Sequence, residues 1–351
     1  MKQLNEHQVI ERVVERLAEL LDLNPSEANV RQPAGEGTET LIDLGGARFV
    51  IEWKGSGAAA PVARAAEQVG RHAGGSRGRV IPLVAVPFMG AAGRDRCEAA
   101  SVNWLDLSGN ARIVAPGLRV DIEGKPNRFK SRGRPSSAFA PKSSRIARWL
   151  LIHPEQSATQ REIAKETDVG EGFTSRIVSK LEQDALVIRD PNGAIRVRDP
   201  DLLLDAWKED YDFSKHRILR GHLPARTGDE LLGTLAARLR KEDIPYAATG
   251  LAAAWALTRF AAFRIVTLYV SEGPAHEVLS RFGLREEEQG ENVWLVIPND
   301  HGVFHGAGEH GDIRCVHPVQ AYLDLAAHPE RAKEAADELR SRFLSWRRNG
   351  H

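Results

Sequence analysis

The stretch LIDLGGARFVIEWKGSG, residues 41–57, decides how the N-terminal part of the chain folds. Apolar residues recur on both sides of Gly45-Gly46, and a Gly-Gly pair is typical of the two-residue turn of a β-hairpin. The second strand carries Glu52 and Lys54 two positions apart, which places both side chains on one face of the strand. An acid and a base within an apolar strand indicate more than packing, because burying a charge is costly unless it is paired.

The turn determines which residues of the two strands face each other. If Gly45-Gly46 form a two-residue turn, Asp43 pairs with Arg48, and continuing the ladder places Glu39 opposite Glu52. Asp43 then lies four residues from that position, or roughly 13 Å at ordinary strand rise, which is too far to share an ion with Glu52. The register therefore favours Glu39 as the partner acid, whereas a wider or bulged turn would restore Asp43.

The segments around the hairpin complete a mixed α/β pattern that ends near residue 124. Residues 4–21 place apolar side chains at helical spacing, with acids on the other face. After the hairpin come a helix in PVARAAEQVGRHA, an apolar strand at 80–88, a short helix, and SVNWLDLSGNARIV, which predicts a strand, a turn and a return. This order predicts one sheet covered by helices.

This arrangement resembles the PD-(D/E)XK nuclease fold, in which a hairpin acid, an acid-x-Lys strand and a glutamine-bearing helix follow one another. The resemblance implies a restriction-endonuclease-like α/β domain over residues 1–124. It further implies Mg²⁺ as cofactor if the domain is active, with Glu39 or Asp43 together with Glu52 as metal ligands, Lys54 acting on the attacking water, and Gln68 as a further catalytic residue. Carboxylate oxygens suit a hard cation that stabilises charge on a phosphate.

Two features qualify the nuclease interpretation. The family usually has aspartate as its first acid, so Glu39 is a departure, and a half-buried hairpin with an ordinary surface Glu–Lys pair is the alternative.

The stretch WLDLSGNARI resembles one found after such domains in bacterial DNA-binding proteins. There we expect Asp106 and Asn110 to stabilise the turn.

The chain has no formal net charge, so a nucleic-acid partner would have to be recognised by a local group of cations. Residues 125–148 contain eight Lys or Arg and no acid, among Pro, Ser and Gly, which predicts a basic linker at 125–142. Within it RGRP, residues 132–135, resembles the core of an AT-hook. That resemblance implies that Arg132 and Arg134 enter a narrow A·T minor groove, and a plain basic linker is the alternative.

Residues 143–212 predict three helices and a hairpin. The first helix contains Ile146, Trp149 and Leu150, and Thr159 with Glu162 forms a capping box that begins the second. The third helix repeats Phe173, Ile177 and Leu181 at four-residue spacing, and LVIRDPNGAIRVR then predicts a hairpin with a Pro-Asn-Gly tip.

This block contains the stretch TQREIAKETDVGEGFTSRIVSKLEQDALVIRD. The stretch resembles MarR-like winged helix-turn-helix regulators. The resemblance implies double-stranded DNA as partner, the third helix in the major groove and the hairpin on the backbone. With Phe173, Ile177 and Leu181 directed inward, the outward residues are Thr174, Ser175, Arg176, Ser179 and Lys180. We expect Arg196 and Arg198 on the hairpin to meet phosphates. A winged helix used for protein pairing is the alternative, and a homodimer is expected by analogy with regulators that read two-fold sites.

Three stretches of the C-terminal block carry a family resemblance: YAATGLAAAWAL, the strand after it, and CVHPVQAYLDLAAHPERAKEAADELR. Together they resemble the C-terminal domain of AbiEi-type antitoxins from type IV toxin–antitoxin systems. The resemblance implies an α/β nucleotidyltransferase-like fold over residues 213–351 and a toxin or other protein partner. Nucleotidyl transfer is not expected, because Gly250 is followed by Leu251 rather than serine and VTLYVSE offers no paired acids. A loop that gathers His301, His305, His310, Cys315 and His317 matches no zinc module, so we expect a polar loop.

Length and composition predict a multidomain α/β protein of two or three domains, with 42% apolar and 27% charged residues. Two widely separated cysteines and the lack of an apolar run long enough for a bilayer favour a cytoplasmic protein without a membrane partner. The leading interpretation is a DNA-binding transcriptional regulator linked to defence or toxin–antitoxin systems that carries a nuclease-like domain. The alternatives are a Mg²⁺-dependent endonuclease targeted by its winged helix and an interaction scaffold acting through residues 213–351.

Overall fold

A computed structural model describes residues 6–31, 39–75, 80–129, 138–260, 262–284, 290–326, 328 and 331–346. The chain divides into two compact units, residues 1–135 and 136–351. The division falls within the basic segment. The three-helix block and the C-terminal block, which the sequence predicts as separate domains, therefore belong to one compact unit.

The N-terminal unit is built on one mixed sheet whose described strands follow one another in chain order. The strands are β1 (Asn29–Arg31), β2 (Thr40–Leu44), β3 (Ala47–Trp53), β4 (Val80–Val86), β5 (Asn103–Asp106), β6 (Ala111–Ala115) and β7 (Leu118–Ile122), and the helices are α1 (Glu6–Leu21), α2 (Ala59–Gly75) and α3 (Ala91–Ala99). Strands β3, β4 and β5 are parallel, and the other neighbouring pairs are antiparallel. Parallel neighbours require crossovers, which α2 and α3 provide.

The hairpin of β2 and β3 has the predicted register. Leu44 pairs with Ala47 and Asp43 with Arg48 around Gly45-Gly46, whose φ angles are +58° and +76°. Positive φ at both central residues defines the two-residue hairpin turn that matches strand twist, and glycine adopts it without steric cost. The first pair of the ladder is Thr40 with Ile51, so Glu39 precedes β2 at the level of Glu52.

The sheet is covered on both faces by apolar clusters. Helix α1 packs on the face that carries Phe49 and Ile51, and α2 packs on the face that carries Val50 and Val84. Because strand side chains alternate, Glu52 shares the α2 face with Val50. The acid–lysine strand therefore points its charges toward the glutamine-bearing helix.

The C-terminal unit combines helices with a small hairpin and a larger mixed sheet. Its helices are α4 (Ser144–Ile152), α5 (Gln160–Glu166), α6 (Glu171–Gln183), α7 (Pro200–Asp210), α8 (Gly228–Lys241), α9 (Gly250–Thr258), α10 (Glu272–Arg281), α11 (Pro318–Leu325) and α12 (Ala332–Phe343). Its strands are β8 (Val187–Arg189), β9 (Ile195–Val197), β10 (Arg217–Gly221), β11 (Tyr246–Thr249), β12 (Val266–Val270), β13 (Val293–Ile297), β14 (Gly308–His310) and β15 (Ile313–Cys315). Strands β8 and β9 form the hairpin, and the larger sheet has the order β10-β13-β12-β11-β15-β14.

The larger sheet is mixed, with β12 parallel to β13 and β11 parallel to β15. Strand β11 runs antiparallel to β12, so the start of β11 and the end of β12 lie at the same edge. Within the described residues, no helix has both the length and the apolar character needed to cross a membrane.

Candidate nucleic-acid interface and acid–lysine site

Helix α5 begins at the predicted capping box. The Thr159 hydroxyl accepts the Glu162 N–H at 3.2 Å, and a Glu162 carboxylate oxygen accepts the Thr159 N–H at 2.7 Å. The Thr159 N–H and the Thr159 hydroxyl, which both donate to the Glu162 carboxylate, hold the pKa of Glu162 below its usual value. The box satisfies two backbone N–H groups at the helix start and so sets where α5 begins relative to α6.

The β8–β9 hairpin is held to neighbouring elements through both of its strands. Ala158, just before α5, exchanges two backbone hydrogen bonds with Ile195 at 2.9 and 2.7 Å. Arg189 donates to Glu182, in the last turn of α6, at 3.0 and 3.2 Å. Helices α4, α5 and α6 with this hairpin, residues 144–198, are called the three-helix segment below.

The inward face of α6 differs from the prediction at one residue. Thr174 is fully buried, and its hydroxyl donates to the Gly170 carbonyl at 3.2 Å, so its assignment to the outward face is wrong. The buried residues of α6 are Thr174, Ile177, Val178 and Leu181. An inward stripe advances by three and four residues alternately. The prediction used residues spaced by four from Phe173. Phe173 is only half-buried, so this spacing follows one edge of the stripe and misses its centre.

The remaining predicted residues of α6 do lie toward solvent. Arg176 and Ser179 are exposed, and Ser175 and Lys180 are half-buried. The Arg176 guanidinium lies 5.0 Å from the Phe173 ring centroid, and Lys180 Nζ donates to Asp184 at 3.1 Å. The outer face thus presents hydroxyl and guanidinium groups, the residue types used for phosphates and base edges.

Other residues extend this surface or fall outside it. Arg196 in β9 and Arg198 just after it, which are predicted to meet phosphates, are both exposed. Gln183 is exposed one turn beyond Ser179, a position that the four-residue spacing from Ser175 and Ser179 could have identified. The predicted minor-groove residues Arg132 and Arg134 lie outside the described part of the chain.

Two of the described cations in residues 125–148 are taken up by the fold. Arg145 Nε and Nη2 donate to the two carboxylate oxygens of Asp300 at 2.8 and 3.0 Å. Arg148 is 2% exposed, donates to Gln320 at 2.5 Å and lies 5.0 Å from the Trp207 ring. Burial lowers the pKa of this guanidinium. These contacts fix α4 against the C-terminal sheet region, so both arginines have structural roles and are not part of the cationic surface.

A buried polar network continues from Arg148 into the larger sheet. Gln320 donates to Asp324 at 2.7 Å, and the hydroxyls of Tyr211 and Thr249 donate to the same carboxylate. Burial raises the pKa of Asp324 to about 6. His216 is also buried within the network, accepts the Asn299 N–H at 3.1 Å and has a pKa lowered to about 4.

The predicted nuclease-like site brings two of its residues into contact. Glu52 is 1% exposed, and Lys54 Nζ donates to its Oε1 at 2.6 Å. Glu39 is half-buried and directly precedes β2, and Gln68 is half-buried on α2. Asp43 lies near the turn instead, where the hydrogen bond from Arg48 at 2.6 Å lowers its pKa. The register and this ion pair favour Glu39 over Asp43 as the second acid.

No group of three or more His, Cys, Asp or Glu side chains in the described ranges is arranged to hold a metal ion. This holds for the three predicted carboxylates and for the histidine-rich loop at 301–317. The donor chemistry at Glu52 nevertheless suits Mg²⁺, which often binds through one or two carboxylates together with substrate phosphates.

The WLDLSGN turn is a buried hydrogen-bonded structure. Asp106 accepts backbone N–H groups from Met89, Gly109 and Asn110 at 2.8–3.1 Å and the Asn110 side-chain amide at 2.8 Å. Asn110 in turn accepts the Lys125 N–H at 2.8 Å and donates to the Lys125 carbonyl at 3.2 Å. The predicted turn-stabilising role is confirmed, and the same asparagine also holds the start of the basic segment.

The end of β11 is closed by side chains from the segment that contains α11. Thr249 donates to Asp324, and the Thr267 hydroxyl lies 2.8 Å from His328 Nε2. Gly250 has φ +56°, and a Cβ there would lie 2.8 Å from His328. Close packing therefore occupies the place where the nucleotidyltransferase-like pattern has its Gly-Ser.

The comparisons with known proteins concern this C-terminal unit. Residues 196–345 match the family model described as "Transcriptional regulator, AbiEi antitoxin, Type IV TA system". The match confirms the predicted resemblance of the C-terminal block and begins earlier than residue 213, within β9. No curated protein and no solved structure gave a significant match to the chain.

Proposed function

We propose that this protein is a DNA-binding transcriptional regulator, linked to a toxin–antitoxin or defence system, that uses the three-helix segment as a winged helix-turn-helix. The observation that carries the proposal is the outer face of α6, where Arg176 and Ser179 are exposed, together with the exposed hairpin residues Arg196 and Arg198. The family match supports it, because its residues lie in the same compact unit as this face.

In this proposal α6 enters the major groove, and the hairpin follows the backbone. Arg176 would bind a guanine edge or a phosphate, and Ser175 and Ser179 would donate to phosphates or bases. The capping box and the Arg189–Glu182 pair hold helix and hairpin in one orientation, so both can contact the same duplex.

The test is fluorescence anisotropy of the full-length chain with a duplex from upstream of its own gene, titrated with salt. The full chain is required because Arg145 and Arg148 bind residues of the C-terminal region. Changing Arg176, Arg196 and Arg198 together to alanine should weaken binding and reduce its salt dependence. Arg226→Ala, an exposed cation of the same unit outside the three-helix segment, is the matched control. Duplex binding that is absent, or equal for the triple variant, would refute the proposal.

The alternative is a Mg²⁺-dependent endonuclease with a PD-(D/E)XK-like N-terminal domain. The buried Glu52 beside Lys54, on the face covered by α2, favours it. Glu52 and Glu39 would hold Mg²⁺, which when bound supplies charge stabilisation on the phosphate. Lys54 would orient the attacking water, and Gln68 would assist from α2.

Plasmid DNA incubated with the protein and Mg²⁺ or Mn²⁺ tests the alternative. Cleavage should be lost in Glu52→Gln and retained in Asp43→Asn, since Asp43 is bound by Arg48 near the turn. Intact plasmid after long incubation would eliminate the endonuclease and leave the DNA-binding proposal standing.

We also propose a protein partner, a toxin or another protein, that binds through residues 213–351, and a homodimer that reads a two-fold site. Co-purification with the product of a neighbouring gene tests the first. Light scattering of the full-length chain with and without DNA tests the second, with a mass of one chain under both conditions counting against a dimer.

A further inference from the structure

A cavity of about 500 Å³ opens on the C-terminal unit, at one edge of the larger sheet. Its lining includes an apolar and aromatic part, two arginines and two carboxylates. Cavities of this size bind small molecules when they combine apolar walls with a few converging polar groups. The three-helix segment and the acid–lysine site are both outside its lining.

The cavity lies where strand topology favours ligands. Ser271 directly follows β12, and His301 follows β13, and both line the cavity. These two strands are parallel neighbours in the sheet, and ligands of open α/β sheets bind beyond the carboxyl ends of such strands. Tyr246 is at the start of the antiparallel β11, so the cavity is at the edge opposite to Gly250.

The floor of the cavity is aromatic and firmly packed. Tyr246 is 3% exposed, and its hydroxyl accepts the Arg314 backbone N–H at 3.3 Å. Phe304 is half-buried and makes an edge contact with Tyr269 at a centroid distance of 6.2 Å. Because Tyr246 is almost fully buried, Phe304 is the ring of the lining that can contact a ligand, and a fixed aromatic ring favours a planar ring as its partner.

The two arginines of the cavity are held by weak, exposed ion pairs. Arg240 lies 3.4 Å from Asp312, and Arg314 lies 3.7 Å from Glu309. All four side chains are between 46% and 90% exposed, and such pairs contribute little to stability. A phosphate offers a guanidinium short bidentate hydrogen bonds, so it can replace these carboxylates.

The acids of the cavity do not favour a simple anion. Asp243 is an exposed carboxylate of the lining, and Glu309 remains beside Arg314. Carboxylates in nucleotide sites accept hydrogen bonds from ribose hydroxyls. A ligand that presents a ring, hydroxyl donors and a phosphate satisfies all three parts of the lining at once.

We propose that this cavity binds a nucleoside phosphate, with its ring on Phe304, its ribose at Asp243 and its phosphates on Arg240 and Arg314. The proposal is independent of the DNA-binding proposal, because it uses no residue of the three-helix segment. DNA binding could fail while the nucleotide binds, and the reverse.

Isothermal titration calorimetry of the full-length chain without DNA tests this inference, with ATP and GTP as probes. At least one should bind, more tightly than adenosine, guanosine or tripolyphosphate. The double change Arg240→Ala and Arg314→Ala should weaken binding about tenfold or more, a loss of about 1.4 kcal/mol. Lys241→Ala, the cation next to Arg240 that is not in the lining, should bind as the parent does.

Two further variants separate the parts of the ligand. Phe304→Leu keeps an apolar floor but removes the ring, so it should weaken ATP binding severalfold and leave tripolyphosphate unaffected. Asp243→Asn should reduce the preference for ATP over 2′,3′-dideoxy-ATP. Circular dichroism melting checks that each variant is folded, and conservative Arg240→Gln and Arg314→Gln replace any alanine variant that is not.

Three results would overturn the inference: no heat of binding with ATP or GTP, binding that the double arginine variant leaves unchanged, or tripolyphosphate binding as tightly as ATP. The first eliminates the ligand, the second places it elsewhere, and the third indicates an anion site without recognition of the nucleoside.

Discussion

Lys54 Nζ donates to Glu52 Oε1 at 2.6 Å, although the Glu52 side chain is 1% exposed and that of Lys54 is 25% exposed. The partly exposed lysine therefore pairs with a carboxylate that is buried on the face of the sheet covered by α2. If the ammonium partner is removed, the buried acid loses the compensation that this ion pair provides for its desolvation cost.

We predict that Lys54→Met destabilises the N-terminal unit by about 2–3 kcal/mol, a value below that for a fully buried pair because Lys54 is partly exposed. The double variant Glu52→Gln with Lys54→Met should lose less than the sum of the two single changes. Urea unfolding followed by circular dichroism measures the cycle. Strictly additive losses would show that the two side chains do not interact in solution.

The buried turn at Asp106 provides a second stability prediction. Asp106→Ala removes the acceptor for three backbone N–H groups and leaves them buried, so we expect a loss of about 3 kcal/mol or more. Asn110→Ala should cost less but should speed hydrogen exchange at the Lys125 amide. Asp121→Ala, on the exposed side of β7, is the control and should change neither quantity. Protection of Lys125 that survives Asn110→Ala would contradict the proposed hold on the basic segment.

Variants of Thr174 and Arg176 should separate effects on stability from effects on DNA binding. Thr174→Val removes a buried hydroxyl that donates to Gly170, so we expect a loss of stability of about 1 kcal/mol and an unchanged affinity of the folded protein for DNA. Arg176→Ala should leave stability nearly unchanged and weaken binding. If Arg176 contacts a phosphate, the slope of log affinity against log salt should fall by about one unit. Anisotropy and urea unfolding on both variants distinguish the roles, and reversed results would mean that α6 presents its other face.

The buried titratable groups of the C-terminal unit predict a loss of stability in acid. Burial lowers the pKa of His216 and of His317 to about 4, from 6.5 in the unfolded chain. Each histidine therefore contributes stability above pH 6.5 that is lost as the pH falls toward 4, because only the unfolded state binds the proton. Asp324 opposes them, because its pKa is raised from 3.8 to about 6 and its neutral form is favoured in the fold.

Two histidines outweigh one aspartate, so unfolding of the C-terminal unit in urea should become easier between pH 6.5 and 4. Asp324→Asn should steepen this dependence, since it removes the opposing group, and His317→Gln should flatten it. Denaturation midpoints at several pH values within this window provide the measurement. A stability that increases as the pH falls would contradict the assignment of the two histidines as desolvated and neutral in the folded protein.

The elements that were predicted correctly depend on interactions between near neighbours in the chain. The Gly45-Gly46 turn sets the pairing of Asp43 with Arg48 within five residues, and the Thr159–Glu162 box spans three. Turn geometry and helix capping act over such short separations that residue order alone specifies them. The apolar stripe of α1 was predictable for the same reason.

From the sequence, the candidate interface could be assigned to one side of α6, but not to the individual residues of that side. The spacing of Phe173, Ile177 and Leu181 identified the correct side of α6 but not its centre, so Thr174 was assigned to the wrong face. Which residue of a stripe is buried depends on what packs against the helix, and spacing carries no information about that neighbour.

The sequence by itself determined the hairpin register, the start of α5, the identity of the acid–lysine strand and the resemblance of the C-terminal block. Only the tertiary structure decided that Arg145 and Arg148, which the sequence presents as free cations, bind Asp300 and Gln320 at separations of 155 and 172 residues. It alone assembled the cavity around Tyr246 from distant strands and loops. The reason is physical: local geometry follows from the covalent order of neighbours, whereas the environment of a charge is set by groups that only the folded chain brings near.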